Sequence, residues 1–194
     1  MPFPDLLVLR HGQTEWNAAG RHQGQLDSPL TPLGLAQARQ QGEILARMNL
    51  KGWQAACSPL GRAVETAKIA LADTGLVPRL DDRLREVHFG AWQGLTANEI
   101  AAKWPALGAD RHDTFAWNFR SPGGERFEDM ARRAQSFLDG LSQPTVVIAH
   151  GVFLRVLRGL WLGIGPDAMR DLDGGQGVVH QLHSGQQTRH GGDV

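Results

Sequence analysis

The sequence predicts an α/β protein, a three-layer sandwich in which a mainly parallel sheet lies between two layers of helices. Short apolar runs at residues 6–9, 55–57 and 145–149 are typical of strands buried on both faces. Helical patterns separate these runs, and such alternation is typical of parallel strands joined by helices. The 194 residues fit a single domain, residues 1–194, that can bury a core without disulfides or structural metals.

The first two long helices are predicted from a capping residue that is followed by a proline. Thr31 is a favoured N-cap residue, and Pro32 suits the first helical position. Helical spacing places five apolar residues on the inner face of this helix, namely Leu33, Ala36, Ile44, Leu45 and Met48. Ser58-Pro59 repeats the same signal and predicts a second helix that continues to Ala72.

The second half of the chain contains two further helix signals of different kinds. Residues 96–99 have the capping-box pattern that begins a short helix, and apolar residues at helical spacing predict a long amphipathic helix over residues 127–141. The apolar segment 152–162 predicts another helix. Residues 178–182 predict a last strand, and the Gly-rich, polar segment 184–194 is expected to be a flexible tail.

Residues 90–124 break this alternation of strands and helices. The segment is too long for an ordinary connection. It also concentrates aromatic side chains, namely Trp92, Trp104, Phe115, Trp117 and Phe119. We therefore predict a small, partly helical cap insertion. Its tryptophans could line a substrate pocket or pack within the insertion, and the sequence leaves both roles open.

Composition excludes several classes of partner. The 20 Lys and Arg residues equal the 20 Asp and Glu residues, so net charge predicts no attraction to nucleic acid or to a membrane surface.

Cys57 is the sole cysteine and is expected to be a small buried hydrophobe, which favours a reducing, cytoplasmic location without a signal peptide. The histidines form no compact ligand set, so no metal and no cofactor is expected. A homodimer is compatible with the sequence, which does not determine the oligomeric state.

Three predicted strand-to-helix junctions contain side chains that suit an anion. Arg10 and His11 follow the first strand, Arg62 lies one turn into the helix after the second, and His150-Gly151 follows a later strand. Because the carboxyl ends of parallel strands face one crevice, these side chains are expected to converge. Two arginines and two histidines in one pocket would repel each other without an anion between them. The simplest such anion is a phosphoryl group.

The residue types then indicate a reaction. A neutral imidazole such as His11 can attack phosphorus and form a phosphohistidine, which divides a difficult hydrolysis into two easier steps. The leaving oxygen needs a proton donor, and Glu86 is the leading candidate because a carboxyl group there could later deprotonate water. Glu15 and Asp27 remain rival candidates for this role.

Several sequence blocks, in order, resemble the histidine phosphatase superfamily, which includes cofactor-dependent phosphoglycerate mutases and related phosphatases. The resemblance spans about residues 6–160. The matching blocks are residues 9–17 (LRHGQTEWN), 20–24 (GRHQG), 27–31 (DSPLT), 58–63 (SPLGRA), 84–94 (LREVHFGAWQG), 122–125 (PGGE) and 149–151 (AHG).

This resemblance implies a phosphoglycerate mutase-like fold and a role for each matching polar residue. It implies His11 as the phosphorylated nucleophile and Glu86 as the proton donor. The phosphate pocket would be formed by Arg10, Arg62 and His150 and lined by Asn17. Gln23 and Gly24 would border the substrate, and Gly151 belongs to the same set of substrate- and phosphate-binding residues.

The favoured function is hydrolysis of a small phosphorylated metabolite, in the phosphatase branch of the family. The main alternative is a phosphoglycerate mutase, which would need additional cations to hold a polyanion. The insertion contains only scattered cations, Lys103, Arg111 and Arg120, which favours the phosphatase. A non-catalytic phosphate-binding or protein-interaction module and a phosphoprotein phosphatase are less favoured alternatives. The sequence does not identify the phosphoester.

Overall fold

The computed structural model describes residues 3–109 and 113–192. Six strands lie within these residues: β1 Leu6–Arg10, β2 Gln54–Cys57, β3 Pro78–Leu80, β4 Thr145–Ala149, β5 Val179–His183 and β6 Gln186–His190. They form one sheet in the order β3-β2-β4-β1-β5-β6. Strands β1 to β4 are parallel, whereas β5 and β6 each run antiparallel to their neighbour. The predicted α/β class with a mainly parallel sheet is therefore confirmed.

Helices cover both faces of this sheet. In chain order they are α1 Glu15–Ala18, α2 Pro32–Ala46, α3 Gly61–Ala70, α4 Ala97–Lys103, α5 Pro105–Ala109, α6 Thr114–Trp117, α7 Phe127–Asp139, α8 Gly151–Leu162 and α9 Pro166–Met169. Side chains of β1 alternate between the faces: Leu7 and Leu9 pack with α2 and α3, whereas Leu6 and Val8 pack with α7 and α8. Among the described residues, no helix has both the length and the apolar character needed to cross a bilayer.

The register of the parallel strands aligns their carboxyl ends. Arg10 pairs with Ala149, and Cys57 pairs with Ile148. The residues that immediately follow the strands, His11, Ser58 and His150, therefore leave the sheet along one edge. This edge is where ligands bind in open parallel sheets.

Helix α2 begins where its capping signal predicts, but the predicted inner face is wrong in part. The Thr31 hydroxyl accepts from Gly34 N, as expected for an N-cap. Leu33 is exposed, and two glutamines on the inner face are buried instead. Gln37 accepts a hydrogen bond from Gln13 N, and Gln41 donates to the carbonyls of Arg10 and Val178. These two amide side chains are buried and hydrogen-bonded, so the pattern of apolar residues does not reveal the whole inner face of α2.

The two other differences concern Ser58 and the carboxyl-terminal segment. Helix α3 begins at Gly61 rather than at Ser58-Pro59, and its N-cap is Leu60. The flexible tail predicted for residues 184–194 is wrong over Gln186–His190, which pairs along its whole length with β5. Its polar side chains suit an exposed edge strand, so their composition resembles that of a loop. Residues 193 and 194 lie outside the described part of the chain.

The insertion of residues 90–124 is partly helical, as predicted, and its helix α4 begins with the expected capping box at Thr96 and Glu99. Its aromatic side chains extend the core on the side of α7 and α8. The Trp92 and Trp117 rings lie 4.3 Å apart, and both side chains are buried. Arg111 lies outside the described residues. Packing is therefore the observed role of these tryptophans.

Candidate active site

A polar cavity of about 220 Å³ opens at the carboxyl edge of the parallel strands. Its lining includes nearly all of the residues that the sequence predicts for the site. The lining residues are Arg10, His11, Asn17, Gly20, Arg21, His22, Gln23, Gly24, Arg62, Glu86, Phe89, Gly151, Val152, Arg155 and Gly174. The buried His150 lies behind this surface, with its ring centroid 5.2 Å from that of His11.

His11 is held as a neutral ring with a defined tautomer. The Gly12 carbonyl accepts from Nδ1 at 2.8 Å, and Arg62 Nε donates to Nε2 at 3.2 Å. The proton therefore lies on Nδ1, and the Nε2 lone pair points towards the cation. Burial, together with the positive charges of Arg62 and Arg10, holds the pKa of His11 well below its usual value. The uncharged imidazole required for attack on phosphorus is thus the stable form at neutral pH.

The two predicted phosphate-binding arginines differ in how many of their N–H groups already have hydrogen-bond partners. Arg62 is buried, and four of its five N–H groups donate to His11, Asp27 and the carbonyls of Leu26 and Gly24. Arg10 donates from Nη1 to the Gly174 carbonyl at 2.8 Å, while its buried Nε has no partner within the described residues. Burial lowers the pKa of Arg10. Arg10 therefore has an unused donor at the site.

His150 is positioned by a residue that the sequence analysis assigned to a helix cap. The Ser58 hydroxyl lies 2.7 Å from His150 Nε2, and both side chains are fully buried. Burial and the nearby charges of Arg62, His11 and Arg10 hold the pKa of His150 well below its usual value. With the hydroxyl donating to Nε2, the proton of the neutral ring lies on Nδ1. That atom has no hydrogen-bond partner in residues 3–109 and 113–192.

Glu86 is buried at the amino end of α8. Its Oε1 accepts from Val87 N and Phe153 N at 2.9 and 3.0 Å, and its Oε2 accepts from Val152 N at 3.1 Å. The rivals are placed differently: Glu15 is exposed, and Asp27 is paired with Arg62 at 2.9 Å. Glu86 is the carboxylate that lines the cavity, which favours it over both rivals.

Arg133 on α7 fixes the backbone around Glu86. Its guanidinium donates to the carbonyls of Arg83, Arg85 and Glu86 and pairs with Glu125 at 2.6 Å. In the sequence, Arg133 is only one residue of the predicted helix 127–141, because the contacts it makes are with a loop almost fifty residues away.

Asn17, Gln23 and Gly24 border the cavity, but their polar groups have structural partners. Asn17 forms a capping box with Thr14, and the Gln23 amide donates to the Thr14 hydroxyl at 2.7 Å. Gly24 has a φ of +57°, a conformation that favours glycine, and its carbonyl accepts from Arg62.

A loop of residues 173–176 closes one side of the site. Gln176 donates to the His11 carbonyl at 3.0 Å, and the Gly174 carbonyl accepts from Arg10. The Asp173 carboxylate accepts from Arg189 Nε of β6 at 2.8 Å. This loop could not be predicted from the sequence, because it contains neither an apolar pattern nor a recognisable motif.

The described part of the insertion, residues 90–109 and 113–124, contributes no lining residue to the cavity. The insertion contacts the cavity wall indirectly, because Trp117 packs against the edge of the ring of His22, a lining residue. The role of the insertion as a cap therefore stays a prediction. Within residues 3–109 and 113–192, no group of three or more His, Cys, Asp or Glu side chains is arranged to hold a metal ion.

Comparison with known proteins gives a consistent result. The family model of the histidine phosphatase superfamily, branch 1, matches residues 6–190. A glucosyl-3-phosphoglycerate phosphatase from Mycolicibacterium vanbaalenii is 37% identical, over 97% of this chain and 87% of that protein. A probable phosphoglycerate mutase from Erwinia tasmaniensis is 36% identical, over 86% of this chain and 79% of that protein. The solved structure of a mycobacterial glucosyl-3-phosphoglycerate phosphatase with VO3 has a TM-score of 0.76 and 35% identity, covering 96% of this chain and 97% of that one.

Proposed function

We propose that this chain, which belongs to the histidine phosphatase superfamily, branch 1, is a phosphatase that hydrolyses a small phosphomonoester through a phosphohistidine on His11. The observation that supports this mechanism most directly is the neutral His11 ring, whose Nε2 is unprotonated beside two guanidinium groups. Phosphoryl transfer depends mainly on positioning and on charge stabilisation, which Arg10 and Arg62 supply here.

In the first step, His11 Nε2 forms a bond to phosphorus while the bond from phosphorus to the leaving oxygen breaks. The Glu86 carboxylic acid gives its proton to that oxygen. Arg10 Nε and His150 Nδ1 are buried donors without a partner in the described chain and are available to the phosphoryl oxygens.

In the second step, the Glu86 carboxylate accepts a proton from water, whose oxygen attacks the phosphohistidine. The bond from phosphorus to Nε2 breaks, inorganic phosphate leaves, and His11 is again neutral. Glu86 thus returns to its acid form, and no proton is gained or lost over the cycle.

The substrate is proposed to be a small phosphorylated metabolite. Two comparison proteins are glucosyl-3-phosphoglycerate phosphatases, so glucosyl-3-phosphoglycerate is the first natural phosphoester to assay. The Erwinia relative makes the mutase the second candidate function. Conversion between the two monophosphoglycerates, stimulated by bisphosphoglycerate, would support the mutase.

The decisive experiment is hydrolysis of p-nitrophenyl phosphate in the presence of a chelator. We expect turnover by the wild type and a loss of about 10⁴-fold or more in His11→Ala, because the nucleophile is removed. His183→Ala is the matched control, since this exposed histidine lies outside the cavity and should leave turnover unchanged. Retained activity in His11→Ala would contradict the proposed mechanism, and inactivity of the wild type towards a broad phosphoester panel would favour a binding module.

A further inference from the structure

Two guanidinium groups line the cavity without an acidic partner. Among the described lining residues, Arg21 lies 3.0 Å from Glu99 and Arg62 lies 2.9 Å from Asp27. Arg10 and Arg155 have no ion pair in the described chain. One transferred phosphoryl group accounts for Arg10, and Arg155 is left without an assigned function.

Arg155 is held in the wall of the cavity rather than extended into solvent. It lies four residues after Gly151, the first residue of α8, and is half-buried. Its Nε is buried and has no hydrogen-bond partner in residues 3–109 and 113–192. A Cβ atom at Gly174 would lie only 3.1 Å from Arg155 Nη2, so the glycine allows the guanidinium to lie against the 173–176 loop.

Arg155 is close to Arg10 but not to the nucleophile. Burial lowers the pKa of Arg10 most, the negative charge of Glu86 opposes this, and the positive charge of Arg155 lowers the pKa further. The charges that lower the pKa of His11 are those of Arg62 and Arg10, and Arg155 does not contribute. Arg10 and Arg155 carry like charges, and an anion beside Arg155 would offset their repulsion.

We propose that Arg155 binds a second anionic group of the substrate, a carboxylate or a second phosphate, while Arg10, Arg62 and His150 hold the transferred phosphoryl group. This inference rests on the proposed function of the same cavity. It makes the preferred substrate an acidic phosphomonoester rather than a neutral one, since a guanidinium fork matches the two oxygens of either group.

The test compares substrates that differ in one anionic group. One pair is 3-phosphoglycerate and sn-glycerol 3-phosphate, which differ in a carboxylate. The other is fructose 1,6-bisphosphate and fructose 6-phosphate, which differ in a phosphate. We expect the wild type to prefer the acidic member of at least one pair. Arg155→Met should lower that kcat/KM ratio about tenfold or more, mostly through KM, and the affected pair identifies the group.

Two further variants separate local recognition from a change in net charge. Arg132→Met removes a charge from an exposed arginine on α7 that does not line the cavity, and should leave the ratio unchanged. Arg155→Lys keeps the charge but loses the fork, so an intermediate ratio is expected. It also provides a measurement if Arg155→Met fails to fold.

The possible failures are distinguishable. A wild type without preference in either pair, or an equal ratio in the wild type and Arg155→Met, overturns the inference alone. Equal slowing of all four substrates would mean that Arg155 grips the transferred phosphoryl group, which also overturns it. A wild type that cannot hydrolyse p-nitrophenyl phosphate contradicts the proposed function instead.

Discussion

At the scale of single residues, the position of Glu86 leads to a prediction about leaving groups. Glu86→Gln keeps the shape of the side chain but cannot supply a proton. We expect kcat/KM, which reports the transfer to His11, to fall about 10²-fold or more on alkyl phosphates and much less on aryl phosphates. Alkoxides are poor leaving groups and need the proton, whereas a nitrophenolate does not. The measurement is kcat/KM on p-nitrophenyl phosphate and on glycerol 3-phosphate.

Glu15→Gln is the control for this experiment, since Glu15 is exposed and does not line the cavity. It should change neither kcat/KM value. Equal slowing of aryl and alkyl substrates in Glu86→Gln would assign the acid role to another group.

Residues in the strand-to-helix junctions could be predicted from the sequence, whereas those that support them could not. His11, Arg10 and His150 each follow a recognisable buried strand, and topology alone brings them to one edge. Ser58 resembles a helix cap, because only the fold shows that its hydroxyl faces His150. Arg155 resembles a surface residue of an apolar helix, and its place in the cavity depends on Gly174, nineteen residues away.

At the scale of elements, the amino end of α2 packs directly against the loop that contains His11. A Cβ atom at Gly34 would lie 2.0 Å from the Gln13 carbonyl oxygen, and one at Gly12 would lie 2.2 Å from the Gly34 carbonyl oxygen. Both residues must therefore be glycine for the helix and the loop to approach this closely.

Gly34→Ala is accordingly expected to displace backbone rather than a flexible side chain. We expect the free energy of unfolding to fall by about 1–3 kcal/mol, and kcat/KM to fall as well, because His11 lies next to the displaced segment. Urea denaturation and assays on p-nitrophenyl phosphate measure these changes.

Gly42→Ala is the control on the same helix. Its Cβ would lie 3.3 Å from the Ala70 carbonyl oxygen, which requires only a small shift, and alanine favours the helix. We expect stability within about 1 kcal/mol of the wild type and unchanged kcat/KM. A Gly34→Ala variant as stable and active as Gly42→Ala would contradict this account.

Elements with strong local signals were predictable, and elements that depend on pairing were not. The cap at Thr31 and the capping box at Thr96 satisfy helix ends with nearby side chains, so they are visible in the sequence. Strand β6 has polar, largely exposed side chains and is formed by its main-chain pairing with β5. Such pairing leaves no mark on composition.

At the scale of the whole molecule, buried neutral histidines make stability depend on pH. The pKa of His180 is lowered to about 4, mainly by burial, whereas the unfolded chain protonates this ring near its usual value of 6.5. Below pH 6.5 the unfolded state therefore binds a proton that the folded state refuses until about pH 4. The stability provided by the neutral ring is fully present above pH 6.5 and is lost as pH falls towards 4.

His180→Gln removes this titration while keeping a donor near Asp173. Between pH 7 and pH 5, we expect the wild type to lose about 2 kcal/mol more unfolding free energy than the variant does. His11 and His150 are present in both proteins, so their contributions cancel in the comparison. Urea denaturation at the two pH values measures the difference. Identical losses would show that the pKa of His180 is the same in the folded and the unfolded state.

The contact between Asp173 and Arg189 has a consequence for how the enzyme matures. The 173–176 loop touches the carbonyl of His11, yet its carboxylate is anchored by the final strand. On the ribosome, His11 emerges well before Arg189, so its surroundings stay incomplete until strand β6 has been translated. A nascent chain thus acquires its finished site only after Arg189 has been added, and termination before residue 189 removes an anchor of the site.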